Sequence, residues 1–347
     1  MNLTAIPLGI GILLCVISSF RVDKYRFSIT EDKAAKRINI NVDGQPFTSY
    51  CYADSLMKPI LYPLRTTKGT LITRGWPIEP RSGERIDHPH HVGLWFNYGN
   101  VNGLDFWNNS TAIPSEKKNE YGTIMHASVD QLKATNEYAL LAVTKYWEKP
   151  DAARLLKEDT RYIFRETTDT RVIELTITLT ALHEKVTFTD NKEGLLGIRV
   201  ARELEHPSDE SVKFTDANGN ITEVPKQDNT FVTGNYYSSE GLTGDHVWGT
   251  RAQWVNLTGT INQEAISLVI LDHPYNIGYP AYWHARGYGL FAVNNLGQQA
   301  MSNGKESLNF SLLPGKSITF RYEVLIHSGN HLTASAINHA AQLFWKK

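Results

Sequence analysis

From about residue 25 onward the chain alternates apolar and polar residues with a period of two, and this pattern constrains the fold more than any other feature. Ile173, Leu175, Ile177 and Leu179 alternate with Glu174, Thr176, Thr178 and Thr180, so an extended segment there has one apolar face and one wet face. The same alternation recurs in Ile318, Phe320, Tyr322, Val324 and Ile326. The Pro314-Gly315 turn and the strand-like stretch Leu308 to Leu313 precede it, which together predict an antiparallel hairpin. Asp43-Gly44 and Asn218-Gly219 mark further turns. Strands are expected over 120–130, 136–148, 155–166, 228–237, 250–259, 265–271 and 288–294. Many strands with few helical stretches predict an all-β chain, a large antiparallel β-sandwich. One helix is predicted between His331 and Lys347, where Leu332, Ala336, Ile337, Ala340, Ala341 and Phe344 share a face that can pack on the sandwich. Residues 205–227, rich in Asp, Glu, Ser, Asn and Pro, read as a long surface loop.

At 347 residues the chain is long for one domain, yet all-β sandwiches of this size fold around a single core, so 21–347 is read as one domain. Residues 5–20 form an apolar run of signal-peptide length followed by Arg21 and Lys24. Residues 1–20 are therefore expected to be a signal peptide or an uncleaved N-terminal anchor, and the remainder an exported domain, periplasmic or facing the periplasm. Thirty-five Lys and Arg balance 36 Asp and Glu, which leaves no net field to draw nucleic acid or an anionic membrane. Membrane contact is expected only through the N-terminal run, and the expected partner is a small molecule. Cys15 lies in that run and Cys51 stands alone beyond it, so no intrachain disulfide framework or cysteine metal site is expected.

Residues 86–107 place His88, His90 and His91 close to Trp95 and Trp107, a concentration of imidazole and indole found nowhere else in the chain. Imidazole serves as base, acid or metal ligand, and indole grips ring-shaped polar ligands. Pro89 biases His88 towards an extended conformation. Alternation beyond it would put His91, Trp95 and Asn97 on one face and His90, Val92, Leu94 and Phe96 on the other, which favours His91 as the site histidine and a structural His90. The plainer alternative is that these histidines cap a strand.

A second constellation runs from Asp272-His273 to Leu290. If 282–290 is extended, Tyr282, His284, Arg286 and Tyr288 share a face. Such a set suits proton abstraction beside a carbonyl or carboxylate: His takes the proton, Arg neutralises the enolate, and Tyr protonates the leaving oxygen. A salt bridge with stacked aromatics is the structural alternative. Lys192, Glu193 and Arg199, and Trp248, Arg251 and Trp254, can stack on sugar faces or bind ring and acid oxygens, although Trp254 reads equally as a core residue. The candidate catalytic residues are thus His91, His284, Arg286, Tyr288, His90 and His88. The candidate substrate-binding residues are Trp95, Asn97, Lys192, Glu193, Arg199, Trp248, Arg251 and His273. No zinc-binding spacing is present and no cofactor is expected, while His-x-His leaves a divalent metal open. No phosphate loop or Gly-x-Ser-x-Gly elbow is found.

The run His88-Pro89-His90-His91-x-Gly-Leu-Trp95, continued by Asn102-Gly103-x-Asp105-Phe106-Trp107, resembles the signature of a bacterial family of exported all-β proteins that automatic labelling often calls "methane oxygenase PmoA". Lys192-Glu193-Gly194 with Arg199, Trp248-Gly249 with Arg251 and Trp254, and Trp283-His284-x-Arg286-x-Tyr288-Gly289-Leu290 resemble further motifs of that family, so the similarity covers most of 45–327. The chain departs from it at Asn294-Asn295-Leu296-Gly297, where the family tends to have Asn-Pro-Phe-Gly. A membrane methane monooxygenase subunit would need several apolar spans of about twenty residues, which one short leader does not supply. The resemblance implies instead a domain associated with bacterial glycan use, similar to the supersandwich of sugar mutarotases and polysaccharide lyases.

Together these readings predict a carbohydrate-active enzyme of the lyase or dehydratase type, acting on an acidic or oxidised sugar or oligosaccharide. A glycoside hydrolase or epimerase using Glu193, and a non-catalytic glycan-binding protein gripping sugar through Trp95, Trp107 and Trp248, are the alternatives. Residues 88–107 and 273–288 are expected to form opposite sides of one sugar-sized cleft.

Overall fold

The structure is a computed structural model that describes residues 26–347; the expected signal peptide or anchor lies outside the described residues. Two eight-stranded antiparallel sheets face each other. The back sheet runs in the order Asn235–Ser238, Trp254–Ile261, Glu264–Asp272, Ser317–Ser328, Thr170–Ala181, Arg154–Glu166, Ala139–Glu148 and Thr123–Ala134. The front sheet runs Phe27–Asp32, Arg37–Val42, Gln45–Cys51, Ile60–Leu61, Leu94–Tyr98, Gly194–Arg199, Leu290–Asn294 and Tyr282–Arg286.

The alternation read in Ile173 to Thr180 does what a half-buried strand requires: residues 171, 173, 175, 177, 179 and 181 are buried and the intervening ones are not. Ile173, Leu175 and Ile177 meet Leu94, Phe96, Leu196, Ile198 and Val293 of the front sheet in one continuous apolar core. The predicted hairpin does not form. Ser317–Ser328 has Thr170–Ala181 on one edge and Glu264–Asp272 on the other, so both its ladders are occupied. Phe310–Leu312 pairs instead with Val186–Phe188 as a separate ribbon. The stretch expected at 228–237 is strand only at Asn235–Ser238. The expected loop at 205–227 carries a second ribbon, Val212–Thr215 with Ile221–Val224.

The C-terminal helix spans Ala334–Phe344 and starts at Thr333, whose side chain accepts a hydrogen bond from the Ala336 amide. It buries Ile337, Ala341 and Phe344 on the outer face of the back sheet against Trp254, Val269, Leu271 and Leu325. Among the described residues no helix is long and apolar enough to cross a membrane.

The front sheet is unusual in being covered on both faces. Leu94–Tyr98, Gly194–Arg199 and Leu290–Asn294 are buried throughout, because loops fold over the sheet's outer surface. On that surface Trp95, Gly197, Ala292 and His284 lie side by side in register across four strands. A β-carbon on Gly197 would come within 2.6 Å of the Trp95 ring, so the indole lies flat across the glycine. Most of the candidate residues gather on or above this covered outer face.

Ile337→Ala is expected to destabilise the protein by about 2–5 kcal/mol through loss of buried contacts, whereas Leu343→Ala, on the exposed side of the helix, should change stability by less than about 0.5 kcal/mol. Chemical denaturation of the two variants checks that the helix is an integral part of the sandwich.

Candidate functional site

The loop before Leu94–Tyr98 owes its shape to two arginines. Arg74 and Arg199, 1% and 0% exposed, both hold Asp87 Oδ1, at 2.7 and 2.6 Å. Arg74 also donates to the carbonyls of Arg85 and Asp87 at 3.2 and 2.8 Å through Nη1, and to those of His88 and His91 at 3.0 Å each through Nη2. A guanidinium is suited to this work because its donors leave in a rigid planar fork. Burial alone would raise the Asp87 carboxyl, but the Arg199 guanidinium, the His88 imidazole and Arg74 together hold it well below the ordinary carboxylate range. The loop curls around Arg74, and His88 has φ +45° rather than the extended backbone that Pro89 predicts. A left-handed non-glycine residue costs about 1–2 kcal/mol. The carbonyl bonds to Arg74, and the bond from the His91 amide to the His88 carbonyl at 2.9 Å, offset it.

This curl builds a pile of near-parallel rings. Tyr288 stacks on His88 at 4.9 Å, His88 on His91 at 4.9 Å, and His91 on Trp95 at 5.4 Å. His88 of the first segment and Tyr288 of the second therefore meet, whereas His273, expected on the same wall as Tyr288, does not join them. Within the pile the three histidines differ. His91, preferred on strand parity, is buried with both nitrogens facing donors: Trp107 Nε1 donates to Nε2 at 3.2 Å, and Arg199 Nη1 stands 3.4 Å from Nδ1. Burial and the neighbouring His90 and Arg199 push its proton affinity well below the ordinary imidazole value. Both ring nitrogens of His91 thus face protein groups, and the ring is buried. His88 is the accessible one, with 40% of its side chain exposed and Nδ1 3.4 Å from Asp87 Oδ1. A carboxylate behind one nitrogen fixes the tautomer and leaves the other nitrogen for chemistry. His90 is nine-tenths buried, and its pKa is pushed down to about 2 by burial and by Lys58.

Lys58 went unnoticed in the sequence. It is 2% exposed, donates to the His90 carbonyl at 2.8 Å and stands 5.4 Å from the Trp95 ring centre. Burial lowers its pKa to about 7, with Asp105 partly restoring it. A lysine in Met57-Lys58-Pro59 reads as a surface residue, and only its environment distinguishes it.

Across the row lies Glu193. The Asn294 side chain donates to the carbonyls of Asn191 and Lys192 at 2.9 and 3.0 Å and accepts from the amides of Leu296 and Gly297. The variant sequence Asn294-Asn295-Leu296-Gly297 thus closes its loop on the segment that carries Glu193. Gly99 makes room for that segment, since a β-carbon there would meet Glu193 Cβ at 2.7 Å. Burial raises the Glu193 carboxyl above its ordinary value, against the pull of Lys192. His284 lies behind it, with Nδ1 3.9 Å from Glu193 Oε2 and no hydrogen-bond partner among the described residues. Burial, Arg286 and Lys192 lower the His284 pKa to about 3, so it is neutral and its Nδ1 faces the carboxyl. Being buried itself, His284 supports Glu193 rather than meeting solvent.

Tyr282, His284 and Arg286 do share the outer face, with Trp283 and Ala285 turned into the core. Tyr288 lies beyond the strand, its hydroxyl pushed up to about 12 mainly by burial, with Arg199 5.0 Å below its ring and Arg286 at 5.8 Å. Arg286 is exposed, lies 5.4 Å from the Trp248 ring and has no carboxylate partner among the described residues. Arg74, Arg85 and Arg199 are all ion-paired. Lys192 is exposed beside Glu193, at 3.7 Å.

Three expected ligand contacts fall elsewhere. Arg251 is engaged by Glu306 and by the carbonyls of Gly278 and Pro280, so it latches a loop. His273 is buried against Phe344 under the C-terminal helix, because the chain passes from the back sheet to the front between residues 272 and 282. Asn97 is buried and donates to the Phe106 carbonyl, tying down the 98–107 loop. Trp254 belongs to the helix contact, its Nε1 donating to Asn338. Among the described residues no three His, Cys, Asp or Glu side chains gather as a metal ion would require.

The family described as "Family of unknown function (DUF6807)" matches residues 37–342, a span that contains every motif discussed above. Comparison with curated proteins gives no match. Solved structures similar to the chain include the GH36 alpha-galactosidase AgaB from Geobacillus stearothermophilus, at 13% identity, 87% of this chain, 41% of that chain and a TM-score of 0.40. The galactosidase domain of the alpha-galactosidase-sucrose kinase AgaSK is similar at 10% identity, 87% and 42% coverage and a TM-score of 0.39. The galactose 1-epimerase from Lactobacillus acidophilus NCFM is similar at 10% identity, 88% and 99% coverage and a TM-score of 0.37. The chain thus spans about two fifths of the length of the first two.

Arg74→Met leaves Asp87 with one cation and strands four carbonyls, and should destabilise the fold by about 3–5 kcal/mol in denaturant titrations. Because the Asp87 pKa is depressed on folding, its contribution is present above about pH 4 and is lost as the pH falls further; Asp87→Asn should flatten that acid dependence. A carbon-13 NMR titration of the lysine side chains should show one titrating near pH 7, absent in Lys58→Met.

Proposed function

The chain belongs to the DUF6807 family, and we propose that it is an exported carbohydrate-active enzyme that eliminates water or an alkoxide from a sugar bearing a carboxylate or an oxidised carbon. The observation that carries this reading is Arg286, an accessible guanidinium without a carboxylate partner among the described residues, beside Tyr288, the ring that stacks on His88. An unpaired cation in a cleft is matched by an anionic group on the ligand. The apolar run at 5–20 supports export.

In this reading the sugar lies against Tyr288 with its carboxylate on Arg286. Glu193, as carboxylate, takes the proton from the carbon beside the acid group, and the electron pair left on that carbon delocalises into the carboxylate held by Arg286. The neighbouring carbon–oxygen bond breaks as a double bond forms, and protonated His88 gives its proton to the departing oxygen. The raised affinity of Glu193 makes it the stronger base, and the neutral Nδ1 of His284 receives the hydrogen bond of the newly formed acid. Asp87 stabilises the imidazolium before transfer. Solvent then returns a proton to His88 and removes one from Glu193, which closes the cycle.

Incubation with panels of uronic acids, aldonic acids and uronate-containing oligosaccharides should give an ultraviolet-absorbing unsaturated product together with loss of water or an alcohol. Glu193→Gln and His88→Ala should each lower kcat/KM by about 10²–10⁴-fold. Exchange of the carbon-bound hydrogen for solvent deuterium without elimination would instead mark an epimerase, and inertness across the panel sinks the enzymatic reading. The acidic limb of the kcat/KM profile should lie above the ordinary glutamate value of about 4.3. Lys192→Met should move it higher still, because Lys192 lowers the Glu193 pKa.

A further inference from the structure

Lined by Tyr288 and Arg286, and not by His88 or Glu193, is a cavity of about 390 Å³, near the lower end of the ~300–1,000 Å³ range of small-molecule sites. The proton-transfer pair described above does not use it. Its walls come from the segment after Glu205, the turn Gly244–Val247 with Trp248, and the turn that follows Tyr282–Arg286. Gly287 lets these three approach: its carbonyl accepts from the His206 amide at 2.8 Å, and a β-carbon there would meet His206 at 3.2 Å and Asp245 at 3.4 Å.

Two buried polar atoms belonging to residues of this cavity have no partner among the described residues, His206 Nε2 and Trp248 Nε1. They are of opposite kind. His206 Nδ1 lies 3.4 Å from Asp245 Oδ1, so that nitrogen carries the hydrogen and Nε2 is left as an acceptor. Indole Nε1 can only donate. A buried acceptor and a buried donor beside an aromatic face are matched by vicinal hydroxyls on a sugar ring, each of which both donates and accepts. With Arg286 taken by the acidic unit, the remaining charges here argue against a second carboxylate. Arg85 is committed to Glu205 and Gln227, while Asp245 and Glu210 stand at the cavity with exposed carboxylates.

We propose that this cavity is a subsite for a neutral sugar unit adjoining the acidic one, so that the substrate is a uronate-containing disaccharide or longer glycan and not a free sugar acid. The inference rests on the reading that Arg286 holds the acidic unit. It assigns Trp248 and His206 to recognition of the neighbour, with Arg286 as the boundary between the two units. Room for one ring implies that affinity rises sharply from one unit to two and little thereafter.

Calorimetric titration of the full chain with galacturonic acid, galacturonosyl-rhamnose and digalacturonic acid tests this without relying on turnover. Galacturonosyl-rhamnose should bind at least tenfold more tightly than galacturonic acid, with digalacturonic acid gaining less. Trp248→Ala should bring the disaccharide-to-monosaccharide affinity ratio close to one. His206→Gln, which keeps a side chain of similar size, should lower it at least threefold, so the inference does not depend on the folding of the tryptophan variant. Equal affinity for one and two units, a ratio unchanged in both variants, or no binding of any of the three sugars overturns it. A protein that shows the ratio and its loss but eliminates nothing overturns the chemistry above and supports the cavity.

Discussion

A single carboxylate shared by two buried guanidiniums underlies the whole site. The outer surface of a sheet in a sandwich is normally wet, and a loop laid across it has no ladder of its own to fix its path. Arg74 replaces that ladder, gathering four backbone carbonyls on one planar group, while Asp87 closes the link to Arg199 on the sheet beneath. Removing Asp87 would leave two fully buried guanidiniums without their shared carboxylate. From this arrangement follow the left-handed backbone of His88, the order of the stacked rings and the exposure of one histidine out of three.

The same economy recurs on the opposite flank. Glu193 is not placed by a strand of its own but by Asn294, which binds the carbonyls on one side and caps a turn on the other. Each of the two candidate groups thus has a carboxylate or imidazole behind it: the half-buried Asp87 behind His88 and the buried His284 behind Glu193. Such a partner orients the group in front of it, as the outer-shell contacts of functional sites commonly do.

How far the sequence could be read depended on which surfaces were wet. Thr170–Ala181 and Ser317–Ser328 show their alternation because part of one face meets solvent, and the same period placed Tyr282, His284 and Arg286 together. Leu94–Tyr98 and Gly194–Arg199 are covered on both faces, so no period betrays which side chains reach the site. The preference for His91 over His90 assumed an extended chain from residue 90, whereas the strand begins at Leu94 and Arg74, far upstream, bends what precedes it. His273 and Arg251 were placed by nearness in sequence to His284 and Trp248. In the fold the chain crosses between sheets after Asp272, and Arg251 already has its partner in Glu306. Lys58 carries no local signal, because what sets it apart is burial against Trp95.

The ribbon Val212–Thr215 with Ile221–Val224 is attached to the site by main-chain bonds, from Gly83 to Thr215 and from Ile86 to Lys213. Such bonds do not depend on side-chain identity, and neither reactive group belongs to the ribbon. Its residues can therefore drift, lengthen or be exchanged among descendants while the loop that bears His88 keeps its course. The course of the outer loop is thereby separable from the side chains of the ribbon that abuts it.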